Sequence, residues 1–180
     1  MKIGKIEAVL LAAIIVCGTM AFALPAMAGN TALQHAIVYA TGAVLIKDQN
    51  HSDDVIGWTF TGVTGENVMD PVNSKGETQN TTADEPVATL VNTNPVAVRI
   101  TLNAGTWNPK GIVTSQGYNI SATDNSSSYG GSFTTLNLGS ETVTGVTIGA
   151  NSYRGLYLNA TLGSAIIRVG VSTFVVTCEV

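Results

Sequence analysis

The chain is poor in charged side chains, aromatic side chains and cysteine. Charged residues make up 11% of its 180 residues and aromatic residues 6%, and Cys17 and Cys178 are its two cysteines. The eight Lys and Arg residues are scattered, which excludes the clustered basic surface that a nucleic-acid partner requires. A cysteine within an apolar strand is expected to be a small buried side chain, which is the interpretation favoured for Cys178. An intermolecular disulfide through Cys178 in an oxidising compartment stays open as the alternative. Stability must come from core packing.

The longest apolar run lies at the start of the chain. Lys2 and Lys5 precede the run Ala8–Leu24, and Ala26-Met27-Ala28 follows with the small residues of a peptidase site. This pattern predicts an N-terminal signal helix, residues 1–28, that is removed on export. Removing Lys2, Lys5 and Glu7 changes 8 basic and 12 acidic residues to 6 and 11, a net charge of −5. We therefore expect an extracellular or cell-surface protein with no membrane contact after cleavage and no disulfide within the mature chain.

Two other interpretations of the first residues stay open. Gly4-Lys5 followed by Glu7 and the apolar run loosely resembles the leader of type IV pilins, in which the helix is retained and forms a filament core. The same run would also serve as an uncleaved anchor. Against the pilin interpretation, the Glu stands three positions after Gly4, where the pattern requires five.

The remaining residues, 29–180, predict one all-β domain. Short segments rich in β-branched residues alternate with turns that contain Gly, Asn and Pro, and no amphipathic helix of useful length is present. Eight or nine strands of this kind indicate a single β-sandwich with jelly-roll or Greek-key connections and an extended N-terminal segment, residues 29–47. The pattern predicts strands at Ala36–Lys47, Val55–Val63, Pro86–Val91, Val96–Leu102, Tyr118–Ala122, Tyr153–Thr161 and Gly170–Val180, a hairpin of Ser132–Leu138 and Thr142–Ile148 around Gly139-Ser140, and a long surface excursion at Thr64–Pro86.

No group of residues predicts catalysis. The two histidines, His35 and His51, are isolated, and the carboxylates cluster in loops instead of facing each other across a cleft. We expect a protein that is not an enzyme and needs no cofactor. The acidic stretch after the first strand offers weak calcium candidates in Asp53 and Asp54, although its spacing matches no EF-hand.

Five positions match the acceptor sequence for N-glycosylation, Asn-x-Ser or Asn-x-Thr. Four of them fall in predicted loops or short strands, whereas the predicted alternation of the 153–161 strand turns Asn159 toward solvent. The five candidate asparagines are Asn50, Asn80, Asn119, Asn125 and Asn159.

Aromatic side chains suggest a second class of function. A monomeric adhesion or carbohydrate-binding module would present several aromatic rings on one face, as lectins do. Scattered aromatics in a β-sandwich are more often core and edge residues. The candidates for such a platform are Trp58, Tyr118, Tyr129, Tyr153 and Tyr157.

The order of features resembles that of the TasA and camelysin group and the related archaeal bundling pilins, which are secreted β jelly rolls. The resemblance rests on the signal followed at once by ALQHAIVYATGAVLI, residues 32–46, on VATLVNTNPVAVRITLN, residues 87–103, and on the last strand with Phe174 and Val176. The polar stretch 64–85 departs from that pattern. The resemblance implies an extracellular filament of the biofilm or pilus kind, in which copies of the chain are the main partners and other surface proteins or glycans further ones.

The same resemblance implies donor-strand complementation, in which the N-terminal segment of one subunit fills a groove in the next. Main-chain hydrogen bonds along an exposed edge and apolar pockets for alternate side chains would hold such a strand. Part of Gly29–Tyr39 would be the donor, with Leu33, Ile37 and Tyr39 as pocket-filling residues. The alternative is that this segment pairs within its own domain as the first strand.

Overall fold

The computed structural model describes residues 30–39, 44–163 and 169–180, which form β-strands and no helix. The predicted signal helix, and with it the choice between cleavage and retention, lies outside the described residues. The strands are β1 (Asn30–Tyr39), β2 (Val44–Lys47), β3 (Gly57–Gly62), β4 (Asn67–Val68), β5 (Val72–Asn73), β6 (Ala88–Asn92), β7 (Val98–Ala104), β8 (Val113–Ile120), β9 (Thr134–Leu136), β10 (Ser140–Ile148), β11 (Ser152–Leu162) and β12 (Val169–Glu179).

The strands form a β-sandwich, which confirms the predicted all-β class. Sheet A has the order β10-β7-β12-β1-β3-β5, and sheet B has the order β2-β6-β11-β8-β9, with β4 also paired to β11. Consecutive strands lie in opposite sheets everywhere in the described chain except at β8 and β9, which pair directly. Almost every connection therefore crosses the sandwich, so the two sheets cannot fold as separate units.

The core lies between the sheets because alternate residues of each strand point inward. Val98, Ile100 and Leu102 of β7 are buried, as are Phe174 and Val176 of β12. Sheet B contributes a row on β11 with the same period. Leu156, Leu158, Ala160 and Leu162 form this row. The strands predicted at 96–102, 153–161 and 170–180 thus bury alternate residues, although Val96 and Val180, at the ends of two of these predicted strands, are exposed.

Two segments differ from the sequence interpretation. The predicted single strand 36–47 is divided between β1 in sheet A and β2 in sheet B. The predicted hairpin around Gly139-Ser140 is wrong, because β9 pairs with β8 in sheet B whereas β10 pairs with β7 in sheet A. Gly139 has a positive φ of 80° and its amide donates to Ala104, so this turn carries the chain from one sheet to the other.

The excursion 64–86 is attached to both sheets instead of projecting from them. Strand β4 pairs with β11, and β5 pairs with β3. Gln79 is 1% exposed and lies in the gap that β6 and β4 leave along β11. Its Oε1 accepts from the Leu158 amide at 2.8 Å, and its Nε2 donates to the Leu158 carbonyl at 2.8 Å. One side chain thus replaces a missing strand residue in the ladder.

Candidate functional site

Strand β1 occupies a slot between β3 and β12, which we call the β1 slot. It runs parallel to β12, with Thr31 beside Val169 and Tyr39 beside Thr177. On its other side it runs antiparallel to β3, with Asn30 beside Gly62 and His35 beside Gly57. The first described strand of the chain is therefore an interior strand of sheet A. This pairing corresponds to the alternative expected above, in which the segment pairs within its own domain.

The inner face of the β1 slot is lined by aromatic residues from the two flanking strands. Ala32 is fully buried, and its partner on β3 is the fully buried Phe60. Trp58 of β3 and Phe174 of β12 meet edge to face, with ring centroids 4.9 Å apart. Because β3 and β12 are separated by β1, these two rings pack together beneath it. A small residue at position 32 leaves room for this aromatic packing.

The three predicted pocket-filling residues occupy the other set of alternate positions on β1. Leu33, Ile37 and Tyr39 lie in register with Val171, Val175 and Thr177 of β12. Val171 is 42% exposed, and Val175 and Thr177 are half-buried. By contrast, positions 36 and 38 lie beside Phe174 and Val176, which are buried. The role of Leu33, Ile37 and Tyr39 stays a prediction. The β1 positions that pair with buried residues of β12, positions 36 and 38, fall in the same alternate set as Ala32.

The slot-lining residues could be recognised only in part from the sequence. Trp58 and Phe60 lie two positions apart in the strand predicted at Val55–Val63, a spacing that places both on one face, and both are buried. Ala32 carried no signal of its own, because a single alanine in an apolar run does not show which face of the strand is buried.

A shallow groove of about 560 Å³ lies on the outer side of sheet A next to the slot. Its apolar part is formed by Val171 and Val175 of β12. Asn103, Thr106 and Thr173 contribute uncharged polar atoms. None of its lining residues is an acid, a base or a cysteine, so the groove offers contact surface and no group for proton transfer.

The calcium candidates are engaged with lysines. Asp54 forms an ion pair with Lys47 at 2.8 Å, and Asp53 lies 3.8 Å from Lys75. Within the described ranges, no three His, Cys, Asp or Glu side chains come together as a metal site would require. His51 contacts the Tyr153 ring at a centroid distance of 3.8 Å, and Cys178 is buried.

The five acceptor asparagines divide into two structural groups. Asn50, Asn80 and Asn125 are exposed and lie outside the named strands, whereas Asn119 in β8 and Asn159 in β11 are half-buried. All five belong to sheet B or to loops that pack on it.

The five aromatic candidates do not form one surface. Trp58 and Tyr118 belong to the core between the sheets. Tyr129 and Tyr157 meet with ring centroids 5.1 Å apart on the outer side of sheet B, where loop 124–133 covers Tyr157 completely. The Tyr157 hydroxyl donates to the Ser127 carbonyl. Burial raises the pKa of Tyr157 well above its usual range, and the nearby carboxylates of Asp84 and Glu85 raise this pKa further.

None of the described residues forms a helix that could span a membrane. Comparison of the chain with protein-family models, with curated proteins and with solved structures finds no match. The site must therefore be interpreted from its own geometry.

Proposed function

We propose that this chain is a non-enzymatic structural subunit of an extracellular filament, pilus or surface layer, and that it assembles by exchange of strand β1. One observation carries the proposal. The first described strand, β1, fills an interior slot of sheet A, and four residues, 40–43, separate it in the sequence from β2 of the opposite sheet. Export by the predicted signal, a cell-surface location and a homopolymeric partner belong to the same proposal.

The same slot can accept β1 from its own chain or from a second copy. β1 can form the same hydrogen bonds to β3 and β12 whether it comes from the same chain or from a second copy. Exchange leaves the pairing of Ala32 with Phe60 and Gly170 in place, because the strand sequence is the same whichever chain supplies it. The difference in free energy between the two arrangements is therefore small compared with that of leaving the slot empty.

An empty slot would be strongly unfavourable. It would expose backbone groups along β3 and β12 and uncover the fully buried rings of Phe60 and Phe174. Each of these rings stabilises the fold by about 1.5–3 kcal/mol through burial alone. The slot is thus expected to be filled at all times, either within the chain or between chains.

Exchange in one direction gives an open assembly. When each copy donates β1 to the next copy and receives β1 from the previous one, the contact is heterologous and extends into a fibre unless it closes. The exposed Val171 and the half-buried Val175 beside the slot add apolar surface that a neighbouring subunit can cover.

A disulfide between neighbouring strands tests this directly. Thr31 and Thr61 are paired across β1 and β3, and directly opposed residues of antiparallel strands have Cα atoms about 4.5–5.5 Å apart, within the range that a disulfide needs. The experiment uses residues 29–180 with Thr31→Cys and Thr61→Cys in a Cys178→Ala background. Exchanged strands will link neighbouring subunits, so non-reducing gels of assembled material will show a ladder that reduction collapses to monomer.

The matched control replaces Thr61→Cys with Thr101→Cys, again together with Thr31→Cys. Thr101 lies on β7, which β12 separates from β1, and it pairs with Thr177 at the opposite end of β1 from Thr31. This pair should give no ladder. Electron microscopy of the same samples should show filaments.

Other results would contradict the proposal in distinguishable ways. Monomers that are linked internally and never form a ladder would show that β1 stays in its own domain, and would favour the monomeric adhesion or carbohydrate-binding module. A single dimer band without higher steps would show a closed exchange. Filaments that persist after deletion of residues 29–39 would exclude β1 as the donor.

A further inference from the structure

We infer that Asn50, Asn80 and Asn125 are N-glycan acceptors, and that Asn119 and Asn159 are not despite the same local sequence. The inference rests on export of the chain and does not depend on strand exchange. An acceptor asparagine must present its Nδ2 atom to a transferase and must afterwards hold a bulky glycan in solvent. The five positions differ in whether the folded chain allows this.

Asn50 and Asn80 lie in turns of the polypeptide and are exposed. Asn80 Oδ1 accepts from the amides of Thr82 and Ala83 at 3.0 and 3.2 Å, which orients the amide group of Asn80 by its oxygen alone. Neither Nδ2 atom donates a hydrogen bond to a described residue. A glycan at either position therefore displaces no contact that the fold uses.

Asn125 is also exposed, and its backbone has a positive φ of 54°. Its main-chain amide donates to the Tyr153 carbonyl at 2.7 Å, and its Oδ1 accepts from the Tyr153 amide at 3.4 Å. These contacts fix the backbone and the oxygen, whereas the Nδ2 atom donates to no described residue. The position is rigid and presents its nitrogen for modification.

Asn119 uses its nitrogen for the fold. It is half-buried on β8, its Nδ2 donates to the Ser132 carbonyl at 2.7 Å and its Oδ1 accepts from the Gly130 amide at 3.2 Å. This side chain holds loop 124–133 against sheet B. A glycan on the nitrogen would have to occupy the space that the loop fills.

Asn159 is restricted in a similar way. It is half-buried on β11, and its Nδ2 donates to Asn67 Oδ1 at 3.0 Å. A Cβ atom added at Gly117 would lie 2.5 Å from Asn159 Oδ1, so the side chain packs directly over the neighbouring strand. Alternation of the strand places Asn159 on the outer face, but its Nδ2 is already engaged with Asn67, so a glycan there would break a contact between two segments of the fold.

The three accessible positions lie on one side of the molecule. His51, the neighbour of Asn50, stacks on Tyr153, and the backbone of Asn125 bonds to the same Tyr153. Asp84, in the turn that Asn80 begins, accepts from the Tyr129 amide at 2.8 Å. The loops that carry the three asparagines therefore meet on the outer side of sheet B, opposite the face of sheet A. Glycans would cover the outer side of sheet B and leave the outer side of sheet A bare.

The reaction is an ordinary glycosyl transfer from a polyprenyl phosphate or pyrophosphate carrier. The Asn Nδ2 atom attacks the anomeric carbon of the glycan, the new carbon–nitrogen bond forms and the bond from that carbon to the carrier oxygen breaks. The carrier leaves with the electron pair, and a base of the transferase takes the proton that Nδ2 loses.

The test is site-specific occupancy of the exported chain purified from its own cell surface. Release of any glycan by a peptide N-glycosidase in heavy-oxygen water converts each occupied Asn to labelled Asp, which peptide mass spectrometry counts. We expect label at positions 50, 80 and 125 and at least tenfold less at positions 119 and 159. Intact mass should fall by one glycan in each of the variants Asn50→Gln, Asn80→Gln and Asn125→Gln.

The matched controls are Asn119→Gln and Asn159→Gln, which remove an acceptor sequence without removing a glycan. Their intact mass should differ from that of the unchanged protein only by the substitution. A native protein whose mass equals that of the bare polypeptide would overturn the inference. Occupancy at Asn119 or Asn159 equal to that at the other three would overturn the division between them.

Discussion

Removal of the Gln79 side chain is expected to destabilise the fold more than its loop position suggests. Gln79 is 1% exposed and bonds to both main-chain groups of Leu158, and its Nε2 also donates to the Met69 carbonyl at 2.6 Å. The substitution Gln79→Ala leaves three main-chain groups without these partners. Each buried unpaired group costs about 1–3 kcal/mol, and partial relaxation or entry of water reduces the sum, so we expect a loss of about 3 kcal/mol.

The assay is urea unfolding and thermal unfolding of residues 29–180, both followed by circular dichroism. A loss of about 3 kcal/mol corresponds to a fall in Tm of about 6–12 °C for a domain of this size. The matched control is Gln49→Ala. Gln49 Nε2 also bonds to two carbonyls, those of Thr78 and Pro86 at 3.2 and 3.0 Å, but Gln49 is only half-buried, so water can replace the lost donor. We expect the control to lose less than about 1 kcal/mol.

The variant Gln79→Glu separates hydrogen bonding from volume. A carboxylate at this position cannot donate to the Leu158 and Met69 carbonyls, and burial disfavours its charge and raises its pKa in the folded state. A group whose folded pKa is raised favours folding at low pH, so this variant should become less stable as pH rises above about 4.3. Equal stability of Gln79→Ala and Gln49→Ala, or a loss below about 1 kcal/mol at Gln79, would refute the role assigned to this side chain.

Three further predictions concern single side chains. The raised pKa of Tyr157 means that its contribution to stability is present below pH 10 and is lost as pH rises beyond it, so Tyr157→Phe should reduce the alkaline loss measured by urea titration. The same variant removes the hydroxyl bond to Ser127 and should cost about 1 kcal/mol at pH 7. Burial raises the pKa of Asp48, but hydrogen bonds from the amide and hydroxyl of Ser52 outweigh burial and hold this pKa below its usual range. Stability from Asp48 is therefore present above about pH 3.9 and lost on acidification, so Asp48→Asn should destabilise the chain more at pH 7 than at pH 3, and an equal effect at both would contradict this. Gly155→Ala would place a Cβ atom 3.0 Å from the Ser127 Cα, so it should lower stability by about 1–3 kcal/mol in thermal unfolding, and an unchanged Tm would show that the loop over Gly155 moves freely.

Strand identity could be predicted where alternation is strong. Val98, Ile100 and Leu102 follow the two-residue period of a half-buried strand, and each is buried in the structure. The same holds for Phe174 and Val176 in the last strand. Local alternation is sufficient here because the apolar residues of each strand identify directly which face of that strand packs against the core.

Sheet membership could not be predicted in the same way. The Gly139-Ser140 pair has the composition of a tight hairpin, but the strands on either side of it belong to different sheets. Leu136 is buried in the core on one side of this turn, and Ile148 is buried on the other. Turn composition restricts the local backbone angles and contains no information on which distant strand each arm will meet.

The role of Gln79, the most important side chain of the excursion, could not be predicted from the sequence either. Gln79 lies in a polar stretch that resembles a solvated loop, and its partner Leu158 is distant in sequence. Its role follows from the gap between β6 and β4 along β11, which only the assembled sheet defines. Among the candidate glycan acceptors, the sequence favours Asn159, because strand alternation turns it outward. Burial and hydrogen bonds in the structure favour Asn50, Asn80 and Asn125 instead.

The pairing of β1 with β12 also determines when the domain can be completed during synthesis. Thr31 pairs with Val169, 138 positions later in the chain. Because synthesis proceeds from the N-terminus, β1 emerges long before β12, which is one of its two neighbours in the sheet. Contacts of such long sequence separation are the slow ones in folding. Until residues 169–177 have also emerged, the edge of β1 that pairs with β12 is unpaired, and any partner that binds this edge then competes with β12 of the same chain.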